Sequence, residues 1–455
     1  MSDSVENTQQ LITSRLRESI YPMQGVLSDF DPLLSRIEDA HFVLIGEATH
    51  GTQEFYNLRA EITKRLIQEK GFNIVAAEAD WPDAYRVNRF VQGRSNDENS
   101  RQALSDFERF PVWMWRNTVV RDFATWLRDY NASQSDVNRR CGFYGLDLYS
   151  LNASIEAVIN YLDEVDPEAA QRARYRYACF DHFGEDPQTY GYAASFDLTP
   201  SCEQEVVEQL VELRQQAFNY LHRDGFVAQD EYFYAEQNAR IAKNAEEYYR
   251  SMFTGRVPSW NLRDRHMVQT LRELVEHVRK QGKEPKAVLW EHNSHLGDAR
   301  ATDMTRRGEV NVGQLVREQY GEDAVLIGFT TYSGTVTAAS DWGAPYERKT
   351  VRPALPGSFE WLFHSIDVPR FSLLLDNAQE SLADLQRDQL ERAIGVIYLP
   401  ETERISHYFY ARLMDQFNAV MHIDHTHALQ PLERTELWER GEEGGEVPET
   451  YPSGL

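Results

Sequence analysis

The sequence predicts an α/β fold: a mostly parallel central sheet flanked by helices, with an inserted helical subdomain. Two observations carry this expectation. Short apolar runs pass directly into polar residues, and their hydrophobicity is continuous, as in strands buried on both faces of a covered parallel sheet. Helical patterns separate several of these runs, and the stretch from 151 to 284 is helical in spacing nearly throughout.

The strand candidates are "FVLIGEATH" (42–50), "NIVAAEADW" (73–81), "CGFYGLDLY" (141–149) and "AVLWEHNSH" (287–295), followed by "AVLIGFTTY" (324–332), "FSLLLD" (371–376) and "AIGVIYLP" (393–400). Ligands in such sheets bind at the carboxyl ends of the strands. Glu47, His50, Glu78, Asp80, Asp147, Glu291, His292 and His295 would lie there. Between the third and fourth strands, segments such as "EYFYAEQNARIAKNAEEYYRSMF" and "RDRHMVQTLRELVEHVRKQ" carry apolar stripes at helical spacing. The expected division is a core of 1–150 with 285–425, a helical subdomain of 151–284 and a tail of 426–455. "FDHFGEDPQTYGYAASFDLTPS" (180–201) reads as a long loop.

Composition narrows the function. The chain has 455 residues, 42% hydrophobic and 26% charged, ample for a large core. Its 72 acidic against 47 basic residues give a formal charge of -25, which repels phosphate backbones and anionic membranes. Neither a nucleic-acid nor a membrane partner is expected. The opening "MSDSVENTQQLITSRL" has two acids before any base, so no signal peptide is expected, and no apolar run is long enough to span a bilayer. Three widely spaced cysteines, Cys141, Cys179 and Cys202, read as free thiols in a reducing compartment, hence the cytoplasm.

Several residues have the chemistry for a site. In "GEATHGT", Gly46 and Gly51 permit a sharp turn, Thr52 fits a helix cap, and His50 fits either a general base or a structural histidine. Arg59 lies at the edge of the next helix's apolar stripe, where a cation needs a carboxylate or an anionic ligand unless it snorkels to solvent. Glu78 and Asp80 end the second strand, fitting histidine orientation, water or metal binding, or ion pairing with an arginine. His292 and His295 fit zinc chelation or donation to an oxyanion, and one of them fits a structural role equally well. "MHIDHTH" offers His422, His425 and His427 but follows the expected end of the core. "RFPVWMWRN" places Arg109 and Arg116 around Trp113 and Trp115, and "WNLRDRHM" offers Trp260, Arg263 and Asp264, suited to a ligand wall or to a packed seam. The chain lacks G-x-S-x-G, H-E-x-x-H, a P-loop and G-x-G-x-x-G, which argues against the corresponding enzyme classes.

"GEATHGTQEFYNLR", "EADWPDAYRVN", "RFPVWMWRN", "WNLRDRHM" and "WEHNSHLGDARAT", in that order, resemble the signatures of the erythromycin esterases and their bacterial homologues. The late "SHYFYARL", "PLERTELW" and "PETYPSGL" extend the resemblance over nearly the whole chain. It implies a cleft between the α/β core and the helical subdomain, with His50 as the general base that activates water. It further implies that Glu47, Arg59, Glu78, His292 and His295 act in or support the site. The expected substrate is a small-molecule ester or a macrolide, ring opening of which would confer macrolide resistance. Asp80, Trp113, Arg116, Trp260 and Arg263 are the expected substrate contacts, and no cofactor is expected. Within this reading Glu78 orients His50 or the water, and His292 and His295 stabilise the oxyanion. Two alternatives stay open: a metal-dependent hydrolase with His50, Glu78 and the later histidines as ligands, and a binding or transferase-like homologue.

Overall fold

Phe42, Val43, Leu44 and Ile45 are all buried, so this strand has no solvent face and sits at the centre of a covered sheet. The structure, a computed structural model, describes residues 12–183, 186–221, 226–375 and 385–443. Its strands in chain order are β1 (Ile20–Pro22), β2 (Phe42–Ile45), β3 (Ile74–Asp80), β4 (Gly142–Asp147), β5 (Ala287–Trp290), β6 (Ala324–Ala339), β7 (Tyr346–Val351), β8 (Arg370–Leu374), β9 (Gln389–Arg392), β10 (Tyr408–Ala411) and β11 (Ala419–Thr426). The main sheet runs β1-β8-β11-β6-β2-β5-β3-β4, with β7 paired to the far half of β6. From β11 to β4 every neighbouring pair is parallel, while β8, β1 and β7 are antiparallel additions. The α/β class and the mostly parallel sheet are therefore as expected.

Two apolar layers sandwich the sheet. One gathers Phe55, Ile62 and Leu66 of the Gln53–Lys70 helix with Val43, Ile45 and Val75. The other gathers Met267, Leu271 and Leu274 of the Arg256–Lys280 helix with Leu44, Ala76 and Leu289. A third core, with Val158, Leu162, Ala239 and Ala242, belongs to the helices between β4 and residue 251. The helical layer is thus divided: the Arg256–Lys280 helix packs on the sheet itself, and the earlier helices pack largely on one another.

Four details differ from the sequence reading. "AIGVIYLP" forms no strand; Ile394 and Tyr398 are buried in a small cluster with Val336, Ala338 and Val351, touching the sheet through isolated bridges. Its apolar side chains fill a pocket instead of joining the ladder. "MHIDHTH" lies on β11 between β8 and β6, so the core reaches residue 426; His422 is fully buried against Thr330 and Asp424. Segment 180–201 is largely helical, in Ala178–Phe183 and Pro187–Ser195, because Asp186 caps the latter and Pro187 starts it. Cys179 and Cys202 form a disulfide across it, with Cα atoms 6.0 Å apart, correcting the expectation of free thiols. An odd count and a separation of 23 gave no hint of pairing; Cys141 is the free, buried thiol among the described residues. The thiol argument for a cytoplasmic location falls with this pair.

The tail also contributes to the fold. Trp438, on the Glu436–Glu443 helix, is buried, donates Nε1–H to Thr337 Oγ1 at 2.8 Å, and lies under the Arg348 guanidinium. "PETYPSGL" lies outside the described residues. No helix among them is long and apolar enough to cross a membrane.

The glycines of "GEATHGT" serve close approach and not a left-handed turn. A Cβ on Gly46 would meet Asn293 Oδ1 at 2.2 Å, and one on Gly51 would meet the Thr337 carbonyl oxygen at 1.9 Å. Thr52 stands at the N-cap but makes no capping bond, since its hydroxyl pairs with Thr49. Because the obstacle at Gly51 is backbone, Gly51→Ala is expected to lose ~1–3 kcal/mol of stability, read as a lower urea midpoint at unchanged slope. Wild-type stability in this variant would contradict the close approach.

Candidate active site

β2, β3, β4 and β5 end side by side, and each delivers polar residues to one cleft of about 380 Å³. His50, Glu78, Asp80, Asp147, His292 and His295 line it. Trp260 and Arg263 of the Arg256–Lys280 helix form one wall, the 107–115 loop a second, and residues 393–409 a third.

Behind the cleft, Glu47 Oε1 lies 2.7 Å from His50 Nδ1, and Glu47 Oε2 lies 3.2 Å from Arg59 Nη2. Arg59 is 1% exposed, so it does not snorkel; its guanidinium lies 4.4 Å from the Tyr56 ring and 4.9 Å from that of Trp290. The carboxylate that orients His50 is therefore Glu47. Glu78, expected in that role, is 4.0 Å from His50 Nε2.

Glu78 is held from other directions. Its Oε1 accepts from Arg263 Nη2 at 2.7 Å, and its Oε2 accepts from the His292 backbone N–H at 2.9 Å. Arg263 also donates twice to Asp147, at 3.0 and 2.6 Å. Burial alone would raise the Glu78 carboxyl, but His295, Arg263 and His50 outweigh it and hold the group well below the usual carboxylate range.

The two later histidines have different environments. His295 Nδ1 meets Asp264 at 2.9 Å, its Nε2 lies 2.9 Å from Arg263 Nη1, and Trp260 stacks on the ring. Burial would lower its pKa, but Asp264 and Glu78 prevail and raise it. Both nitrogens are engaged, which leaves no free donor for the oxyanion role expected of it. His292 Nδ1 accepts from the Ser294 backbone N–H at 3.2 Å, assigning the ring proton to Nε2, and the ring also interacts with the Ala48 backbone. Burial and then His50, whose ring centroid is 4.7 Å away, push His292 down to about 3, so this imidazole is neutral.

Of the expected substrate contacts, Asp80, Trp260 and Arg263 line the cleft. Trp113 and Arg116 do not. Trp113 is fully buried among core aromatics, and its cleft-facing place is taken by Met114 and Trp115. Arg116 turns away to pair with Glu433 at 2.5 Å. The triple-histidine tail motif also lies elsewhere, with His427 bound to Glu54. Asp147 and Asp264 were legible as strand-end and helix-start acids, but their service to Arg263 and His295 was not. The 393–409 wall carried an apolar run and the start of "SHYFYARL", neither of which pointed to the cleft.

Comparison with known proteins gives a consistent result. The erythromycin esterase family model matches residues 67–426, a span that includes the ends of β3, β4 and β5 and begins after His50. Erythromycin esterase type II of Escherichia coli is 22% identical over 413 residues, 84% of this chain and 94% of that protein. The putative hydrolase YbfO of Bacillus subtilis (strain 168) is 22% identical over 419 residues, covering 86% and 84%. Among solved structures, one described as a succinoglycan biosynthesis protein superposes with a TM-score of 0.75 at 22% identity, covering 94% of this chain and 99% of its own. A histidine-to-asparagine mutant of the erythromycin esterase EreC, in its open conformation, gives 0.67 at 17% identity, covering 91% and 97%.

The buried histidines set an acid limit on stability. His266 and His292 are both held down to about 3, first by burial, against about 6.5 in an unfolded chain. Between these values the unfolded chain takes up protons that the native state refuses, so stability falls with falling pH by up to ~1.4 kcal/mol per unit for each histidine. Glu78, depressed when folded, adds loss in the same direction below about pH 4.3. Urea midpoints at pH 7, 6 and 5 should therefore decline in order; a flat or rising series would mean that these imidazoles are not buried in neutral form.

Proposed function

The chain belongs to the erythromycin esterase family, and we propose that within it this protein hydrolyses a carboxylic ester or lactone with His50 as the general base. The observation that carries the reading is the 2.7 Å contact between Glu47 Oε1 and His50 Nδ1 on a histidine that lines the cleft. Glu47 accepts a hydrogen bond from Nδ1–H, which holds the ring proton there and leaves a lone pair on Nε2. A water hydrogen-bonded there loses a proton to Nε2 as its oxygen bonds to the substrate carbonyl carbon. The imidazolium so formed lies between two carboxylates, Glu47 at 2.7 Å and Glu78 at 4.0 Å. The carbonyl oxygen gains negative charge, and His292 Nε2–H, on a neutral imidazole that lines the cleft, is the donor we assign to it. The C–O bond to the leaving alkoxide then breaks, and His50 returns the proton to that oxygen.

Glu78 and Arg263 serve by position. Their ion pair with Asp147 fixes the floor of the cleft and keeps Glu78 ionised opposite His50. Trp260 and Trp115 supply apolar wall, and a large lactone fits the combination of aromatic walls and polar floor. Macrolide opening, and resistance through it, is the specific form of the activity that we propose.

Replacing His50 with Asn should leave the fold intact and lower turnover by ~10²–10⁴-fold. The assay is mass spectrometry of several macrolides and a simple aryl ester, with wild type and variant side by side. Wild type should add the mass of one water to a macrolide. Cleavage of the aryl ester alone would remove the macrolide claim and leave the esterase, whereas undiminished turnover by His50→Asn would remove His50 as the base.

Among the described residues, no group of three or more His, Cys, Asp or Glu is disposed to hold a metal ion. His50 Nδ1 is engaged by Glu47 and both nitrogens of His295 are engaged. Activity should survive exhaustive chelation, checked by elemental analysis of the same samples. Parallel loss of activity and zinc, both restored by added zinc, would favour the metal-dependent reading instead.

A further inference from the structure

Four arginines line the cleft, and two of them take no part in the hydrolytic steps. Arg263 is committed to Glu78, Asp147 and His295, and Arg109 donates to Asp80 and to the Phe110 carbonyl. That leaves Arg256 and Arg307, whose side chains are 67% and 47% exposed.

One buried carboxylate holds both of them. Glu309, whose side chain is fully buried, sets Oε1 3.1 Å from Arg256 Nε and accepts from Arg307 Nε at 3.1 Å through Oε2. Each guanidinium is thus gripped at Nε and keeps its terminal nitrogens for other partners. Arg307 Nη2 donates to Asp303 at 3.4 Å, while Arg256 makes no hydrogen bond among the described residues. Glu309 and Asp303 stand outside the cleft lining and both guanidiniums stand on it. A chain with a formal charge of -25 therefore turns two cations toward this cavity and keeps their acids behind them.

A solvated arginine paired with an acid is ordinary, and Glu309 alone would account for one of the two. It does not account for a second, nor for the position of Arg256. Arg256 opens the Arg256–Lys280 helix, where the helix dipole opposes a cation. Its guanidinium lies 5.6 Å from the ring of Trp260, itself a wall of the cleft, which gives it a platform beside the cavity.

The reaction proposed above creates the charge that suits this pair. Each turnover converts a neutral ester into an acid, which gives its remaining proton to solvent at neutral pH and becomes a carboxylate. It forms beside the ionised Glu78, and like charges drive it away from there. We infer that Arg256 and Arg307 form a subsite for the carboxylate of the product. The inference rests on the esterase reading and deepens it by giving the acid product a place in the cleft. Guanidinium nitrogens match the two oxygens of a carboxylate. Glu309 and Asp303 behind the pair offset much of its charge, which favours a monoanion over a dianion such as phosphate. No bond is made or broken at the pair; it holds the acid between C–O cleavage and release.

The test uses an aryl ester of phenylacetic acid as substrate, with phenylacetate and its neutral isostere phenylacetamide as probes. In calorimetry, wild type should bind phenylacetate roughly tenfold or more tightly than the amide, and the preference should shrink as salt is raised. Phenylacetate should also inhibit initial rates of ester cleavage more strongly than the amide, by a similar factor. Arg256→Gln should bring both ratios toward one, with Arg307→Gln as the substitute if the first variant is misfolded. Equal binding of the two probes to wild type, or an unchanged ratio in a folded variant, would overturn the subsite and leave the esterase intact. Absence of ester cleavage, together with Arg256-dependent preference for phenylacetate, would keep a carboxylate site and remove the esterase reading.

Discussion

Everything at the site depends on how the protein accommodates one buried carboxylate. Glu47 is 1% exposed at the end of a strand with no solvent face, where an unpaired carboxylate would cost several kcal/mol. Arg59, equally buried, supplies the opposite charge, and the faces of Tyr56 and Trp290 replace part of its lost hydration. The pair ties β2 to the Gln53–Lys70 helix and, through Trp290, to β5. With both partners fixed, Glu47 has one oxygen left for His50, and the imidazole has one orientation. The close approaches at Gly46 and Gly51 serve the same end, since they let the turn pass directly over Asn293 and Thr337.

Around this anchor the charges divide into two sets that meet at His50. Glu47 and Arg59 stand on one side; Glu78, Arg263 and Asp147 stand on the other. Glu291, also fully buried, is driven upward first by burial and then by Glu78. His292 is neutral for the parallel reason that burial and His50 both oppose a second cation. A histidine flanked by two fixed carboxylates, with a neutral imidazole beside it, is the arrangement that the proposed general base requires. That arrangement is specific to the strand ends and does not involve the helices of residues 151–251.

Much of this was legible in the sequence, because strand ends in a parallel sheet collect polar residues and continuous apolar runs mark those strands. His50, Glu47, Arg59, Glu78, His292 and His295 do converge. What failed has physical reasons. Trp113 and Trp115 are indistinguishable by type, and only the path of the 107–115 loop decides that Trp113 is fully buried while Trp115 lines the cleft. Arg116 was a cation near an expected site, but its partner Glu433 is 317 residues away. "AIGVIYLP" has the hydrophobicity of a strand and lacks a ladder to join. The Cys179–Cys202 pair depends on how the short helices between them pack, which spacing alone does not encode. In each case a tertiary partner, absent from the local pattern, overrides it.

The walls of the cleft differ in how firmly they are tied down, and this separates chemistry from selectivity. Trp260 and Arg263 ride on a helix whose Met267, Leu271 and Leu274 are fully buried against the sheet, so they are as rigid as the core. The opposing 393–409 segment is built of short elements, Pro400–Thr402, Glu403–Ser406 and the start of β10, and is fastened at intervals: Arg392 donates to the Thr331 and Tyr332 carbonyls, and His407 accepts from the Leu399 backbone N–H. Between those ties, Ile405 stands 88% exposed at the cleft's edge. Substitutions on this wall disturb little of the core, whereas a change at Arg263 would strip Glu78 and Asp147 of their shared cation. Relatives near 22% identity can therefore keep the strand-end chemistry while presenting different walls, and a shared fold does not by itself carry a shared substrate.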